Sequence, residues 1–86
     1  MTPKELLIKL EGLIKKFSLK VGIELEEGDP HSFLFTWHPS EVEEETLFLL
    51  LIEADSFVQE QWEGFSETGN SDLGQGVYRV MAYAPT

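Results

Sequence analysis

Residues 2–26, TPKELLIKLEGLIKKFSLKVGIELE, decide the fold of this chain, because the spacing of apolar side chains changes within them. From Leu6 to Phe17 the apolar residues recur at three- and four-residue steps, the period of an amphipathic helix. From Leu19 to Leu25 every second residue is apolar, the period of a strand with one buried face. The stretch therefore predicts a helix followed directly by a strand.

Both ends of the predicted helix carry the residues expected there. Thr2 and Glu5 have the spacing of a capping box, and Pro3 suits the first helical position. Lys15 and Lys16 complement the negative pole at the other end.

A second strand follows the first, which indicates a hairpin. Residues 27–30, Glu-Gly-Asp-Pro, have the composition of a turn. After the turn, Phe33, Phe35 and Trp37 alternate with more polar residues, as on a strand with one buried face.

The segment after this hairpin admits two interpretations. Residues 47–52, LFLLLI, are apolar on every side, as in a buried strand. We therefore prefer a polar loop through Glu45, a strand over Thr46–Ala54 and a short helix over Ser56–Glu63. The alternative is one long helix through Trp62, with its apolar residues on one face.

The remaining residues complete a single small acidic domain, residues 1–86. We expect a surface loop over Ser66–Gly76, which is rich in small polar residues, and a final strand over Val77–Ala84. The fold class is then α+β, a mainly antiparallel sheet with helices packed on one face. The preferred element order is α-β-β-β-α-β, and the alternative order is α-β-β-α-β.

The charge distribution narrows the possible partners. The net charge is −10, and residues 21–86 contain 14 acidic side chains and one basic one, Arg79. Residues 1–20 contain five lysines and two glutamates. Grooves that bind nucleic acid need Lys and Arg to neutralise phosphates, and anionic membranes also attract basic segments. We expect neither direct nucleic-acid binding nor membrane binding; a basic protein surface is the expected partner.

Composition also limits chemistry and location. The chain has no cysteine, so disulfides and thiolate sites are excluded. Phe, Ile, Leu and Val make 27 of the 86 residues, enough apolar content for a folded core. The N-terminal residues lack the apolar core of a secretory signal, so we expect a cytoplasmic protein. We expect no cofactor, no metal and no catalytic residue.

The acidic residues are the main candidates for a binding site. A regular array of carboxylates on a rigid fold could imitate a nucleic-acid backbone and occupy a basic groove, whereas the simpler interpretation is a solvated surface. Trp62 and Phe65 are candidate apolar anchors. The acidic face is expected to centre on Glu24, Glu26, Glu43, Glu44, Glu45, Glu53 and Asp55.

Histidine supports a weaker alternative, a small enzyme that uses His38 with a nearby carboxylate. On the predicted second strand, His31 and His38 would point to opposite faces, so they could not share a metal ion.

The apolar run at residues 47–52 supports another alternative. As a strand it would need cover on both faces, and one helix layer covers only one. We therefore expect a homodimer or a hetero-complex, and an assembly or accessory subunit is the second candidate function.

In size, charge and lack of a catalytic motif, the chain resembles small acidic inhibitor proteins, which include nucleic-acid mimics, anti-restriction and anti-CRISPR proteins, and immunity proteins of nucleases. That resemblance implies a non-enzymatic binding protein that occludes a basic surface of its partner.

Overall fold

Two helices and four strands follow one another in the order α-β-β-α-β-β in the computed structural model, which describes residues 3–26, 28, 31–61 and 67–83. The expected α+β class is confirmed. The elements are α1 (Pro3–Phe17), β1 (Val21–Glu26), β2 (His31–Trp37), α2 (Glu44–Gln61), β3 (Glu67–Gly74) and β4 (Val77–Tyr83).

Helix α1 forms as its sequence predicts. Leu6, Leu10 and Ile14 lie one turn apart and are buried, which places the apolar stripe against the rest of the protein. The helix ends where Ser18 adopts a φ of 55°, and the Ser18 amide donates a hydrogen bond of 3.0 Å to the Lys15 carbonyl. A left-handed residue at this position is a common helix terminator, usually glycine.

The four strands form one antiparallel sheet in the order β1-β2-β4-β3. Phe33 and Phe35 of β2 have no exposed surface, and neither has Val80 of β4, which pairs with Phe33. These side chains define the inner face of the sheet. Leu34 and its pairing partner Arg79 are each next in sequence to these inward-facing residues. Because successive side chains of a strand point to opposite faces, Leu34 and Arg79 lie on the outer face of the sheet.

Both helices cover the inner face. The buried side chains of α1 and α2 join those of β2 and β4 in one hydrophobic core, so the fold has a helix layer and a sheet layer. The chain is also two successive α-β-β units, and the sheet order places the second strands of the two units, β2 and β4, side by side in the centre.

The preferred strand over Thr46–Ala54 is wrong, because these residues belong to helix α2. The interpretation as one long helix is confirmed as far as Gln61. The separate short helix over Ser56–Glu63 is also wrong, since Ser56 to Gln61 continue α2 and residues 62–63 lie outside the described part. Helical spacing lets this segment bury five side chains on one face, listed here: Leu47, Leu50, Leu51, Ala54 and Val58.

The expected loop over Ser66–Gly76 is also wrong for most of its length. Glu67–Gly74 forms strand β3, an edge strand that pairs along β4 through backbone hydrogen bonds. An edge strand takes its pairing from main-chain groups, so a polar segment without apolar alternation can still form one. The final strand predicted over Val77–Ala84, by contrast, is confirmed as far as Tyr83, and Ala84 lies outside the described residues.

A tight turn joins β3 to β4 and rests on the end of β2. Gln75 and Gly76, the central residues, have φ values of 53° and 81°, the signs that a type I′ hairpin turn requires. The Trp37 amide donates a hydrogen bond of 3.0 Å to the Gly76 carbonyl. A Cβ atom added at Gly76 would overlap the Trp37 carbonyl oxygen, so glycine is required here for space as well as for φ.

Candidate partner-binding surface

Helix α2 is apolar on two faces, and one of them is uncovered among the described residues. Its inner face lies in the core, where Leu50 and Val58 have no exposed surface. On its outer face Phe48 is 64% exposed, Leu49 is 58% exposed and Ile52 is 49% exposed. We call these three side chains the apolar strip. Together they expose on the order of 300 Å² of apolar surface, the size of a patch that is often functional.

Carboxylates flank the apolar strip on both sides. At about 100° per residue, Glu44 and Asp55 lie on one side of it, and Glu53 and Glu60 lie on the other. The three glutamates are exposed. Asp55 is half-buried, and its Oδ2 accepts a hydrogen bond of 3.5 Å from Gln59 Nε2. Helix α2 contains no lysine or arginine, so every charged side chain that this helix itself places beside the strip is negative.

A cleft of about 330 Å³ adjoins the N-terminal end of the strip. It lies between α2 and the segment that joins β2 to α2. Phe48 and Glu44 line this cleft and also line a shallow depression with Glu45 and Leu49, so the cleft continues onto the strip. The residues that line the cleft are Trp37, Pro39, Val42, Glu44, Leu47, Phe48 and Leu51.

The connecting segment that forms one wall of the cleft is held by backbone hydrogen bonds. The Glu41 amide donates to the His38 carbonyl at 2.9 Å, which closes a turn. The Leu47 amide donates to the Glu43 carbonyl at 2.9 Å, so Glu43 is the N-cap residue of α2. Glu44 and Glu45 then lie in the first turn of α2, where their negative charges interact favourably with the positive end of the helix dipole.

The acidic residues selected from the sequence lie in two groups. Glu43, Glu44, Glu45, Glu53 and Asp55 lie at or along α2. Glu24 and Glu26 lie in β1 and are exposed. They pair with Leu34 and Ser32, whose side chains are on the outer face of the sheet, opposite the helices. The structure thus places the two groups on opposite sides of the sheet.

Trp62 and Phe65, the candidate anchors, lie outside the described residues. Sequence reasoning missed the residues that the structure brings together instead, namely the apolar strip and Glu60. The signal was present in the unbroken apolar run at residues 47–52, because a helix with apolar residues on all sides must expose some of them when it packs on one face.

The two histidines lie in different settings. His31 begins β2, and its Nδ1 accepts a hydrogen bond of 3.0 Å from the Gly28 amide, which ties the ring to the hairpin turn. His38 follows β2 and is exposed. Among residues 3–26, 28, 31–61 and 67–83, no three His, Cys, Asp or Glu side chains are grouped to hold a metal ion.

Positive charge lies mainly on α1. Lys4, Lys9, Lys15 and Lys16 are exposed there, and Ile8 is the one large apolar side chain of α1 that is mostly exposed, at 67%.

No helix in the described part of the chain is both long enough and apolar enough to span a membrane.

Searches against protein-family models and against curated protein sequences found no match to this chain.

Proposed function

We propose that this protein is a non-enzymatic binding protein that engages a basic surface of another protein and occludes it. The observation that carries the proposal is the outer face of α2, where an exposed apolar strip lies between two rows of carboxylates. A few buried side chains near the centre of an interface supply most of the binding free energy, and charged side chains around them determine orientation, specificity and association rate.

The acidic balance supports a basic partner. With a net charge of −10, the protein attracts a positively charged surface over a distance of about 10 Å at moderate salt and repels nucleic acid directly. A basic protein that processes nucleic acid has such a surface in its substrate groove. Occupation of that groove would block the substrate, which is how an acidic inhibitor or nucleic-acid mimic acts.

The test begins with affinity capture of partners from a lysate of the source cell or its host, washed first with low salt and then with high salt. A captured protein is then purified, and its nucleic-acid binding is measured with and without the acidic protein. We expect competition that weakens as salt increases. A partner that keeps its nucleic acid in the presence of excess acidic protein would contradict the proposal.

Charge reversal locates the site. Replacement of Glu43, Glu44 and Glu45 by lysine should weaken binding to the purified partner, because Glu44 and Glu45 line the depression beside the strip and Glu43 precedes them at the start of α2. The matched variant replaces Glu24 and Glu26, which lie on the outer face of the sheet. If only the second variant weakens binding, the partner binds the sheet rather than α2.

The exposed strip also favours a second candidate function, an accessory subunit held in a larger complex by apolar contact. In that case the carboxylates only solvate the surrounding surface. Binding would then survive high salt and fail on Leu49→Asp, whereas the leading proposal requires binding that both salt and this substitution weaken.

A further inference from the structure

We call the apolar strip and the adjoining cleft the groove, and together they are long enough to contact several turns of a bound helix. From Glu45 to Gln59 the outer face of α2 extends for ~21 Å, at 1.5 Å per residue. The strip occupies the first half of this length, and the exposed, uncharged Ser56 and Gln59 continue it. An amphipathic helix that lies in such a groove presents apolar anchors at three- and four-residue spacing.

The charges beside the strip argue against a second α2 as the occupant. If two α2 helices packed through their strips, the carboxylates of one copy would lie beside those of the other, with no lysine or arginine on either helix to offset them. Like charges in equivalent positions disfavour pairing between helices.

Helix α1 of a second copy has the right charge but too little apolar surface. Its exposed lysines could pair with the carboxylates of α2, yet Ile8 is the only large apolar side chain that it exposes to this extent. A single isoleucine cannot cover Phe48, Leu49 and Ile52 and also enter the cleft. Neither of the two helices in the described part of the chain therefore matches this groove.

On these grounds, and resting on the proposed function, we propose that α2 binds an amphipathic, basic helix of the partner protein. One large apolar side chain of that helix enters the cleft beside Phe48, and others cover Leu49 and Ile52. Lysine or arginine residues on the two sides of the helix pair with Glu44 and Asp55 and with Glu53 and Glu60.

The probe is a synthetic, end-capped peptide of about 18 residues, long enough for several helical turns, with leucines at three- and four-residue spacing and lysines elsewhere. The first control peptide has the same composition with its leucines spread around the helix. The second keeps the leucine pattern and replaces every lysine by glutamate. Binding of each to the full chain is measured by calorimetry at an ionic strength of about 0.15 M.

We expect the patterned basic peptide to bind at one site per chain, about tenfold or more tightly than the isomer with spread leucines, because only the patterned leucines can contact the strip and the cleft together. The acidic peptide should not bind. The double variant Leu49→Ser/Ile52→Ser should weaken binding about tenfold or more. The control variant Ile8→Ser, which removes the exposed isoleucine of α1, should leave binding unchanged.

Other results would overturn this inference. Equal binding of the two basic peptides would show that charge alone acts, which refutes the groove but leaves the proposed function in place. Equal binding of the patterned basic and acidic peptides would refute the charge contribution, and with it the proposed function. No binding by any peptide would refute the helix as occupant. A dimer that becomes a monomer on Leu49→Ser/Ile52→Ser would show that a second copy covers the strip.

Discussion

Leu49 and Leu50 are adjacent leucines of α2 whose side chains point about 100° apart, one toward solvent and one into the core. Truncation of each to alanine measures the difference in their contributions to stability. Leu50 has no exposed surface, whereas Leu49 is 58% exposed. Leu50→Ala leaves a cavity in the core, for which losses of about 2–5 kcal/mol are typical. Leu49→Ala removes a side chain that is mostly in water, so we expect a loss of about 0.5 kcal/mol or less.

The two variants should differ clearly in a urea titration followed by far-UV circular dichroism. A domain of this length has a free energy of unfolding of roughly 4–13 kcal/mol. The loss at Leu50 is thus a large part of the total, and each kcal/mol lowers the melting temperature by about 4–8 °C. Titrations at two protein concentrations control for association, because a variant that disrupts an oligomer changes stability in a concentration-dependent way.

Equal losses at the two positions would refute the orientation of α2. The strand interpretation of Thr46–Ala54 would place Leu49 on one face of the sheet with Leu47 and Leu51, and both faces would be covered. Leu49→Ala would then cost as much as Leu50→Ala. A large loss at Leu49 that vanishes on dilution would instead show that another copy of the chain covers the strip.

Four further substitutions test backbone conformation and are checked by the same urea titration. Gly76→Ala should cost about 3 kcal/mol or more, because a left-handed φ and an overlap with the Trp37 carbonyl oxygen act together. Gly74→Ala, with a φ of 73° and no atom within 4 Å of the added Cβ, should cost only about 1 kcal/mol. Equal losses of stability at the two glycines would contradict this explanation. Gly12→Ala, in α1 with open space around the new Cβ, should stabilise the protein by about 0.5–1 kcal/mol, and a loss would show that something packs on this face. Ser18→Gly, at a φ of 55°, should stabilise the protein by up to about 1 kcal/mol, because glycine avoids the left-handed strain but loses more backbone entropy on folding, and a loss would show that the serine side chain makes a stabilising contact.

The N-terminal half of the fold could be predicted because its local signals agree. In α1 the capping residues and the apolar period indicate the same element, and in β1 and β2 the alternation of apolar residues identifies the buried face. Phe33 and Phe35 were recognisable as core residues from this alternation alone. Their complete burial follows from the helix layer that covers them.

The second half was harder to predict for two different physical reasons. The run LFLLLI at residues 47–52 satisfies both periods, so only the tertiary packing of Leu47, Leu50 and Leu51 selects the helix. Strand β3 gives no side-chain signal, because its pairing with β4 comes from the backbone. The candidate site could not be predicted because of the ambiguous run at residues 47–52, since the apolar strip exists only if these residues are helical.

The arrangement of the chain as two successive α-β-β units has a consequence for folding. Each unit contains a helix and a hairpin whose strands are close in sequence, and such local structures form within microseconds. The pairing of β2 with β4 is different, because it joins residues 31–36 to residues 77–82 and must close the intervening loop first. The transition state for folding should therefore consist of two largely preformed halves that meet along this central pair of strands.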